Sequence, residues 1–219
     1  SDWADPITFT TICNVVDSID EDFDSIPTST LPDCWSKITN GTSKYPYVVS
    51  ENIGYGEDNM TIKFGSSYPQ FLISPRIGVA LNTLRLDFSL YKEGIKSGTF
   101  QVGYMTDPTD SNTFVPVASF NDKGQTFYKK MLRKRVYFTG VADNGTNRYI
   151  AFRYGKVGNE SVSYSGYYFI DSVSVQTAPT CQPPYNIANT FVSTDSAVIG
   201  YKRPATALSV QYVFIEYDT

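Results

Sequence analysis

The chain has 219 residues, with 18 Lys and Arg against 22 Asp and Glu and a formal net charge of −4. Nucleic-acid-binding domains need a basic face that releases phosphate counterions, so this balance argues against a nucleic-acid partner. The chain contains no histidine, which excludes Ser-His-Asp and Cys-His mechanisms and disfavours a catalytic zinc site. No run approaches the roughly 18 apolar residues of a membrane span, so we expect no membrane insertion.

Aromatic side chains are abundant, with 17 Tyr and 14 Phe, and 15 Gly and 12 Pro punctuate them. Apolar and polar residues alternate over residues 84–91 and 99–105, which is typical of half-buried strands. The turn-rich residues 106–112 between strands predict a loop. We predict an all-β fold with very little helix, and further strands at residues 62–64, 71–73, 148–154 and 167–175.

A proline-rich stretch at residues 178–184 separates two β-rich parts of the chain and predicts a domain junction. Beyond it, residues 196–201 and 210–217 predict two more strands. So short a segment cannot close a sandwich, which indicates a truncated module or a segment docked on the first domain. We therefore predict an N-terminal arm at 1–19, a β-sandwich at 20–177, and a linker with a partial module at 178–219.

Three cysteines give an odd number, at Cys13, Cys34 and Cys181, and their spacing matches no metal site. An exported protein would form one disulfide and leave one thiol over. The pairing we expect is Cys13 with Cys34, which would tie the arm to the start of the sandwich. Cys34 with Cys181 is the main competitor, and three reduced, buried thiols are the other alternative.

A cluster of basic residues surrounds Met131 and Leu132. Its members are Lys129, Lys130, Arg133, Lys134 and Arg135. The cluster could attract an acidic glycan or a partner surface. We favour the solvated face of an edge strand, where charge protects the strand against pairing with another chain.

Several tyrosines lie in predicted loops, and their rings could stack on sugar rings. They are Tyr45, Tyr47, Tyr55, Tyr68, Tyr164 and Tyr167. Aromatic residues of a β-sandwich more often pack in the core or across strands, and that is the competing interpretation.

Carboxylate catalysis needs two acids on either side of a glycosidic bond. The chain has six Glu, and none belongs to the E-x-D-x-x-E strand of jelly-roll glucanases. A carboxylate-based glycoside hydrolase is therefore the least expected function, and we expect no enzyme activity.

Several short motifs occur in an order that resembles a known family. They are Phe23-Asp24, Leu31-Pro32-Asp33-Cys34-Trp35, Ser74-Pro75-Arg76-Ile77, Val102-Gly103-Tyr104-Met105 and Tyr168-Phe169-Ile170-Asp171. Together they resemble the MAM-like jelly rolls of bacterial surface proteins, a group that includes cleaved-adhesin and choice-of-anchor J domains. The resemblance spans about residues 20–177, and the tail from Cys181 resembles the first strands of a fibronectin type III module.

The resemblance implies a jelly-roll β-sandwich of the galactose-binding or concanavalin-like kind, often with a structural Ca²⁺. The family's metal ligands correspond to Asp24 and Asp171, and Asp22 and Asp58 could complete the shell, because calcium prefers several hard oxygen ligands. The competing interpretation is that these acids only accept hydrogen bonds from turn backbone.

The predicted function is a non-catalytic adhesion, carbohydrate-binding or protein-binding module of a larger multidomain bacterial protein. The resemblance implies a secreted or cell-surface location and a glycan or a host or matrix protein as partner. A structural spacer is the alternative function.

Overall fold

The fold is described from a computed structural model. It covers residues 13–39, 44–51, 60–65, 69–96, 98–120, 131–142, 145–146, 148–155, 165–180, 185–192 and 197–202. The chain divides into two compact units, Ser1–Thr177 and Ala178–Thr219. The prediction of an all-β fold is confirmed, since the described residues form strands and two 3₁₀ turns, Leu81–Thr83 and Ser111–Thr113.

Two antiparallel sheets make up the first unit. The six-stranded sheet contains β1 (Ile19–Glu21), β3 (Tyr47–Ser50), β4 (Met60–Phe64), β6 (Leu84–Lys96), β9 (Leu132–Tyr137) and β11 (Ser165–Thr177). Its order is β3-β4-β11-β6-β9, and β1 also pairs with β11. The five-stranded sheet contains β2 (Ser36–Thr39), β5 (Gln70–Ile77), β7 (Thr99–Met105), β8 (Val115–Phe120) and β10 (Arg148–Gly155), in the order β2-β5-β10-β7-β8.

The main core lies between the two sheets and is rich in aromatic rings. Phe88 and Phe100 lie within ring-contact distance of Phe152, at 5.3 and 6.2 Å between centroids, and Phe100 also contacts Tyr168. These residues come from both sheets and are fully buried. Because side chains alternate along a strand, each strand also presents a second set of residues to the outer face of its sheet.

Strand β11 lies at the centre of the six-stranded sheet and pairs with β1, β4 and β6. Its pairing with β6 shifts between Asp171 and Ser174, and Ser172 adopts a φ of 51° at this bulge. The extra residue shifts the alternation by one position, so that Ile170 and Val173 both point into the core while Asp171 belongs to the outer face.

The segment before β1 is attached to the five-stranded side. Val16 forms a parallel bridge with Ile77 at the end of β5. Cys13 and Cys34 form a disulfide, with their Cα atoms 5.5 Å apart. Cys181, the predicted alternative partner, lies outside the described residues.

The second unit contains one described β-hairpin. It consists of β12 (Tyr185–Val192) and β13 (Ala197–Lys202), which pair antiparallel. The strand predicted at residues 196–201 is β13, and the one predicted at 210–217 lies outside the described residues.

The strands expected in the first unit are present as β4, β5, β6, β7, β10 and β11. Strand β9 lies at the edge of its sheet and carries Arg133, Lys134 and Arg135, which agrees with the edge-strand interpretation of the basic cluster. Lys129 and Lys130 lie outside the described residues.

Candidate functional site

Three of the predicted tyrosines come together on the outer face of the six-stranded sheet. Tyr45 and Tyr47 stack with ring centroids 4.8 Å apart and an interplanar angle of 16°. Tyr167, on the distant strand β11, meets Tyr45 at 5.9 Å and 63°. We call these three residues the tyrosine platform. The alternation of each strand explains their common side, since Val48 and Tyr168, their neighbours in sequence, point into the core.

The edge of the Tyr167 ring contacts Gly65 at the end of β4. A Cβ placed on Gly65 would come within 2.1 Å of the Tyr167 ring, so the missing side chain is what allows the ring to lie there. The Lys63 ammonium lies 4.2 Å from the centre of the Tyr167 ring and 5.1 Å from that of Phe169. One face of Tyr167 is therefore supported, yet the residue remains 36% exposed.

The cation beneath the platform has an acidic partner. Lys63 Nζ donates to Glu51 Oε1 at 2.5 Å, and their side chains are 13% and 36% exposed. The ammonium group is thus largely covered, and the carboxylate is the more accessible member of the pair. This arrangement combines a salt bridge with a cation–π contact, which holds Tyr167 and Phe169 against β4.

The hydroxyl of Tyr45 lies in a partly enclosed, electronegative environment. Burial raises its pKa to about 12, and a hydrogen bond with Tyr47 and the charges of Tyr47, Tyr167 and Glu51 act in the same direction. The phenol groups and the Glu51 carboxylate are therefore close enough to interact. They offer hydrogen-bond donors and acceptors beside exposed aromatic rings.

A second lysine supports the other side of the platform. Lys37 Nζ donates to the backbone carbonyls of Lys44 at 2.7 Å and Pro46 at 3.1 Å, and it lies 5.7 Å from the Tyr47 ring centre. Burial lowers the pKa of Lys37. Its contacts fix the loop that leads into β3, and with it the two stacked rings.

The remaining predicted tyrosines, Tyr55, Tyr68 and Tyr164, lie outside the described residues. Lys63, Glu51 and Gly65 were not predicted as site residues. The lysine occupies a polar position in the alternating strand 60–64, and a charged residue there normally faces solvent. Only the pairing of β4 with β11, which sets Lys63 opposite Phe169, identifies these residues as the support of an aromatic ring.

The predicted metal ligands lie near the bulge of β11. Asp24 Oδ1 accepts from the Met60 N–H at 3.3 Å, which brings it to the start of β4. Asp171, 3% exposed, follows Ile170, whose partner on β4 is Ile62. Thr61 occupies the neighbouring position on β4, and within the described residues its buried Oγ1 has no hydrogen-bond partner.

Asp22 takes a different role, because its Oδ1 accepts from the Asp24 N–H at 3.1 Å and so shapes the turn. Asp58 lies outside the described residues. Among the residues that are described, no three Asp, Glu, His or Cys side chains form a group that could hold a metal. Asp24 contacts Met60, the first residue of β4, and Thr61 is the second residue of that strand. Carboxylate and hydroxyl oxygens of this kind suit calcium.

Farther along the same face, charged residues pair with one another. Asp87 accepts from Arg135 Nε at 2.6 Å and forms an ion pair with Arg85 at 2.8 Å. Arg133 donates to the Ser89 hydroxyl and to the Ser172 carbonyl. These arginines are engaged within the sheet, which favours a structural role over an anion-binding one.

Two solved structures share this architecture. The K1 cleaved adhesin domain of Lys-gingipain from Porphyromonas gingivalis W83 matches with 17% identity and a TM-score of 0.54, over 74% of this chain and 99% of that one. The K3 cleaved adhesin domain of the same protein matches with 14% identity and a TM-score of 0.52, over 73% and 98%. At these identities the similarity establishes the fold: the first unit is a β-sandwich like that of the adhesin domains.

No protein-family model and no curated protein sequence matches the chain. In the described residues, no helix is long and apolar enough to cross a bilayer.

Proposed function

We propose that the sandwich is a non-catalytic carbohydrate-binding module of a secreted or cell-surface protein. The observation that carries the proposal is the tyrosine platform, in which Tyr167 contacts Gly65 and Lys63 and still remains 36% exposed. Folding alone does not explain an exposed tyrosine at this position, since a large ring on an outer face is normally covered or replaced by a polar residue.

The chemistry of the platform suits a sugar. One face of a pyranose ring carries mainly C–H groups, which pack on an aromatic ring, while its hydroxyls project around the edge. Tyrosine supplies both an apolar face and a polar tip. The Tyr45 and Tyr47 hydroxyls and the Glu51 carboxylate lie where ring hydroxyls could donate or accept. We expect an affinity in the micromolar to millimolar range, which corresponds to binding free energies on the order of −8 to −4 kcal/mol.

The disulfide supports a location outside the cytoplasm. Disulfides such as Cys13–Cys34 form and persist in oxidising compartments and are rare in cytosolic proteins. Mass mapping of the protein purified without reductant should find this bond intact.

A glycan array probed with the full chain tests the proposal. We expect binding to at least one glycan, and we expect Tyr167→Ala to weaken it at least tenfold. Val115→Ala is the matched control, because Val115 is a 43% exposed apolar residue on the other sheet. Absence of binding across the array would favour the spacer alternative instead.

Hydrolysis is tested in parallel. The same glycans incubated with the protein should remain intact when analysed by mass spectrometry. Release of shorter products that disappears in a single Asp→Asn or Glu→Gln variant would contradict the non-catalytic assignment.

We further propose that a structural calcium binds between β4 and β11, held by Asp24 and Asp171. The unpaired Thr61 hydroxyl supports the site, as a neutral oxygen that calcium would satisfy. Calcium would supply a positive charge that binds the two carboxylates together. Its binding to the native state should raise the melting temperature.

The calcium proposal predicts that chelation lowers the melting temperature and that calcium restores it. Asp171→Ala should abolish this response, whereas Asp33→Ala, which changes an exposed acid, should keep it. An identical melting curve with calcium and with excess chelator would contradict the site.

For the second unit we propose a fibronectin type III-like segment. The antiparallel pair β12–β13 supports it, since such modules begin with antiparallel strands. Hydrogen exchange on the full chain should show slow amides in both strands, and rapid exchange throughout the unit would contradict the proposal.

A further inference from the structure

The rings of the tyrosine platform are not coplanar. Tyr45 and Tyr47 are nearly parallel, but Tyr167 is inclined to Tyr45 by 63°, and Phe169 is inclined to Tyr167 by 57°. The exposed surface is therefore a corner with two walls. We infer that this corner takes a single sugar ring from a soluble glycan and does not bind the flat face of a crystalline polysaccharide, an inference that rests on the proposed function.

The reason is geometric. Sugar rings on the face of a crystalline polysaccharide lie in one plane, and stacking requires aromatic and sugar planes to be parallel and in van der Waals contact. If Tyr167 lies parallel to such a face, Tyr45 is tilted by 63° and touches it only by an edge. One stacking contact remains, so the surface gains no affinity from the neighbouring sugars.

The angle is fixed from below. Tyr167 cannot rotate into the plane of Tyr45 without leaving Gly65, where the ring fills the space of a missing Cβ. Lys63 lies over one face of the ring, and its salt bridge with Glu51 keeps the ammonium there. On the other wall, Tyr45 and Tyr47 support each other by stacking at 4.8 Å.

Polar groups accompany the rings of the corner. The hydroxyls of Tyr45 and Tyr47 and the Glu51 carboxylate influence one another. Within the described residues Glu51 contacts Lys63 through Oε1, so Oε2 is available to accept from a sugar hydroxyl. Such hydrogen-bond donors and acceptors can serve the hydroxyls around one ring.

The test compares soluble and crystalline forms of the same sugars. Binding of cello-, chito-, manno-, xylo- and galacto-oligosaccharides, each as a disaccharide and as a hexasaccharide, is measured by calorimetry. Depletion of the protein by microcrystalline cellulose and crystalline chitin is measured in parallel. We expect binding to a soluble sugar, less than about a fivefold gain from disaccharide to hexasaccharide, and no Tyr167-dependent depletion by either solid.

The variants separate support from contact. Tyr167→Ala should weaken soluble binding at least tenfold. Lys63→Met, which keeps an apolar stem under the ring but removes the charge, should weaken it about threefold and leave the melting temperature within about a degree. Val115→Ala should change neither.

Two results would overturn the inference while leaving carbohydrate binding in place. They are retention on a crystalline solid that Tyr167→Ala abolishes, and a gain above tenfold from disaccharide to hexasaccharide. Absence of binding to every soluble and solid probe would overturn both this inference and the proposed function.

Discussion

The outer faces of the two sheets solve the same packing problem in opposite ways. On the five-stranded sheet, Phe114 lies over Gly103 and meets Phe71 edge to face at 5.4 Å, so that Phe71 is 4% exposed. On the six-stranded sheet, Tyr167 lies over Gly65, and Tyr167 itself remains 36% exposed. Each outer face thus has an aromatic ring in contact with a glycine.

The difference lies in what the ring does next. Phe114 closes a small apolar cluster that includes Ile73, Met105 and Ala151, all fully buried. Tyr167 contacts Lys63, which forms a salt bridge with Glu51, and remains 36% exposed. The first arrangement stabilises the fold, whereas in the second the aromatic ring buries little apolar surface and stabilises the fold less. The exposure of Tyr167 supports the proposal that the tyrosine platform binds a glycan.

Substitution of the two glycines by alanine should give the largest difference in stability between the two faces. A Cβ at Gly103 would lie 2.1 Å from the Val115 carbonyl oxygen, so Gly103→Ala must force β7 and β8 apart and should cost about 3 kcal/mol of unfolding free energy. At Gly65 the obstacle is the Tyr167 side chain, so Gly65→Ala should cost less than about 1 kcal/mol. Urea denaturation of both variants checks this, and equal losses would refute the contrast.

The ion pairs of Asp87 with Arg85 and Arg135, on the outer face of the six-stranded sheet, should stabilise the fold. Asp87→Asn leaves Arg85, whose side chain is 18% exposed, without its anionic partner, and we expect a loss of about 2 kcal/mol after allowing for the exposure of Arg135. Glu51→Gln, on the platform, should cost under about 1 kcal/mol. Denaturation curves at low salt measure both losses. A larger loss for Glu51→Gln than for Asp87→Asn would show that Glu51 contributes more to stability than Asp87.

Truncation of the two rings should give opposite profiles. Phe114→Ala removes a half-buried ring that packs on a buried apolar cluster and should cost about 1.5 kcal/mol, with glycan binding unchanged. Tyr167→Ala should cost less than about 1 kcal/mol and remove binding. Denaturation and the glycan array together decide the point. A large stability loss in Tyr167→Ala would mean that its ring serves the fold.

The smallest effect concerns alkaline pH. The pKa of Tyr45 is about 12 in the folded chain against 10.0 for a free phenol, so the native state keeps a proton that the unfolded state loses between these values. Stability from this group is complete below pH 10 and declines as the pH rises towards 12. Tyr45→Phe should reduce this decline of stability with pH. Urea denaturation midpoints measured at pH 9 and pH 11 test this expectation. An unchanged slope would show that Tyr45 is solvated like a free tyrosine.

The sequence predicts the long central strands well, because alternation over residues 84–91 and 99–105 follows directly from a two-sided sheet. Short strands escape prediction for an equally physical reason. Strand β2 (Ser36–Thr39) has only four residues and no buried side chain, so its pattern carries too little hydrophobic signal. Its existence depends on pairing with β5, which only the folded chain provides.

The candidate site shows the same limit. The tyrosines could be chosen as binding residues, and Tyr45, Tyr47 and Tyr167 do meet. The prediction that they lie in loops is wrong for Tyr47 and Tyr167, which belong to strands β3 and β11. The residues that support these rings could not be predicted. In the sequence, Lys63 has the pattern of an ordinary polar strand position, and Gly65 has that of an ordinary strand end. Their role arises from a register between strands about 100 residues apart in sequence, which local patterns do not encode.

The central position of β11 has a mechanical consequence. This strand ends at Thr177, directly before the second unit, so tension on that unit enters the sandwich through the strand that pairs with β1, β4 and β6. On the other side, the disulfide carries tension from Cys13 straight to Cys34, because the covalent link is shorter than the chain between them. Strand β1, which lies inside that loop, is shielded from load. A sandwich built in this way can be pulled from both ends without its first strand peeling away.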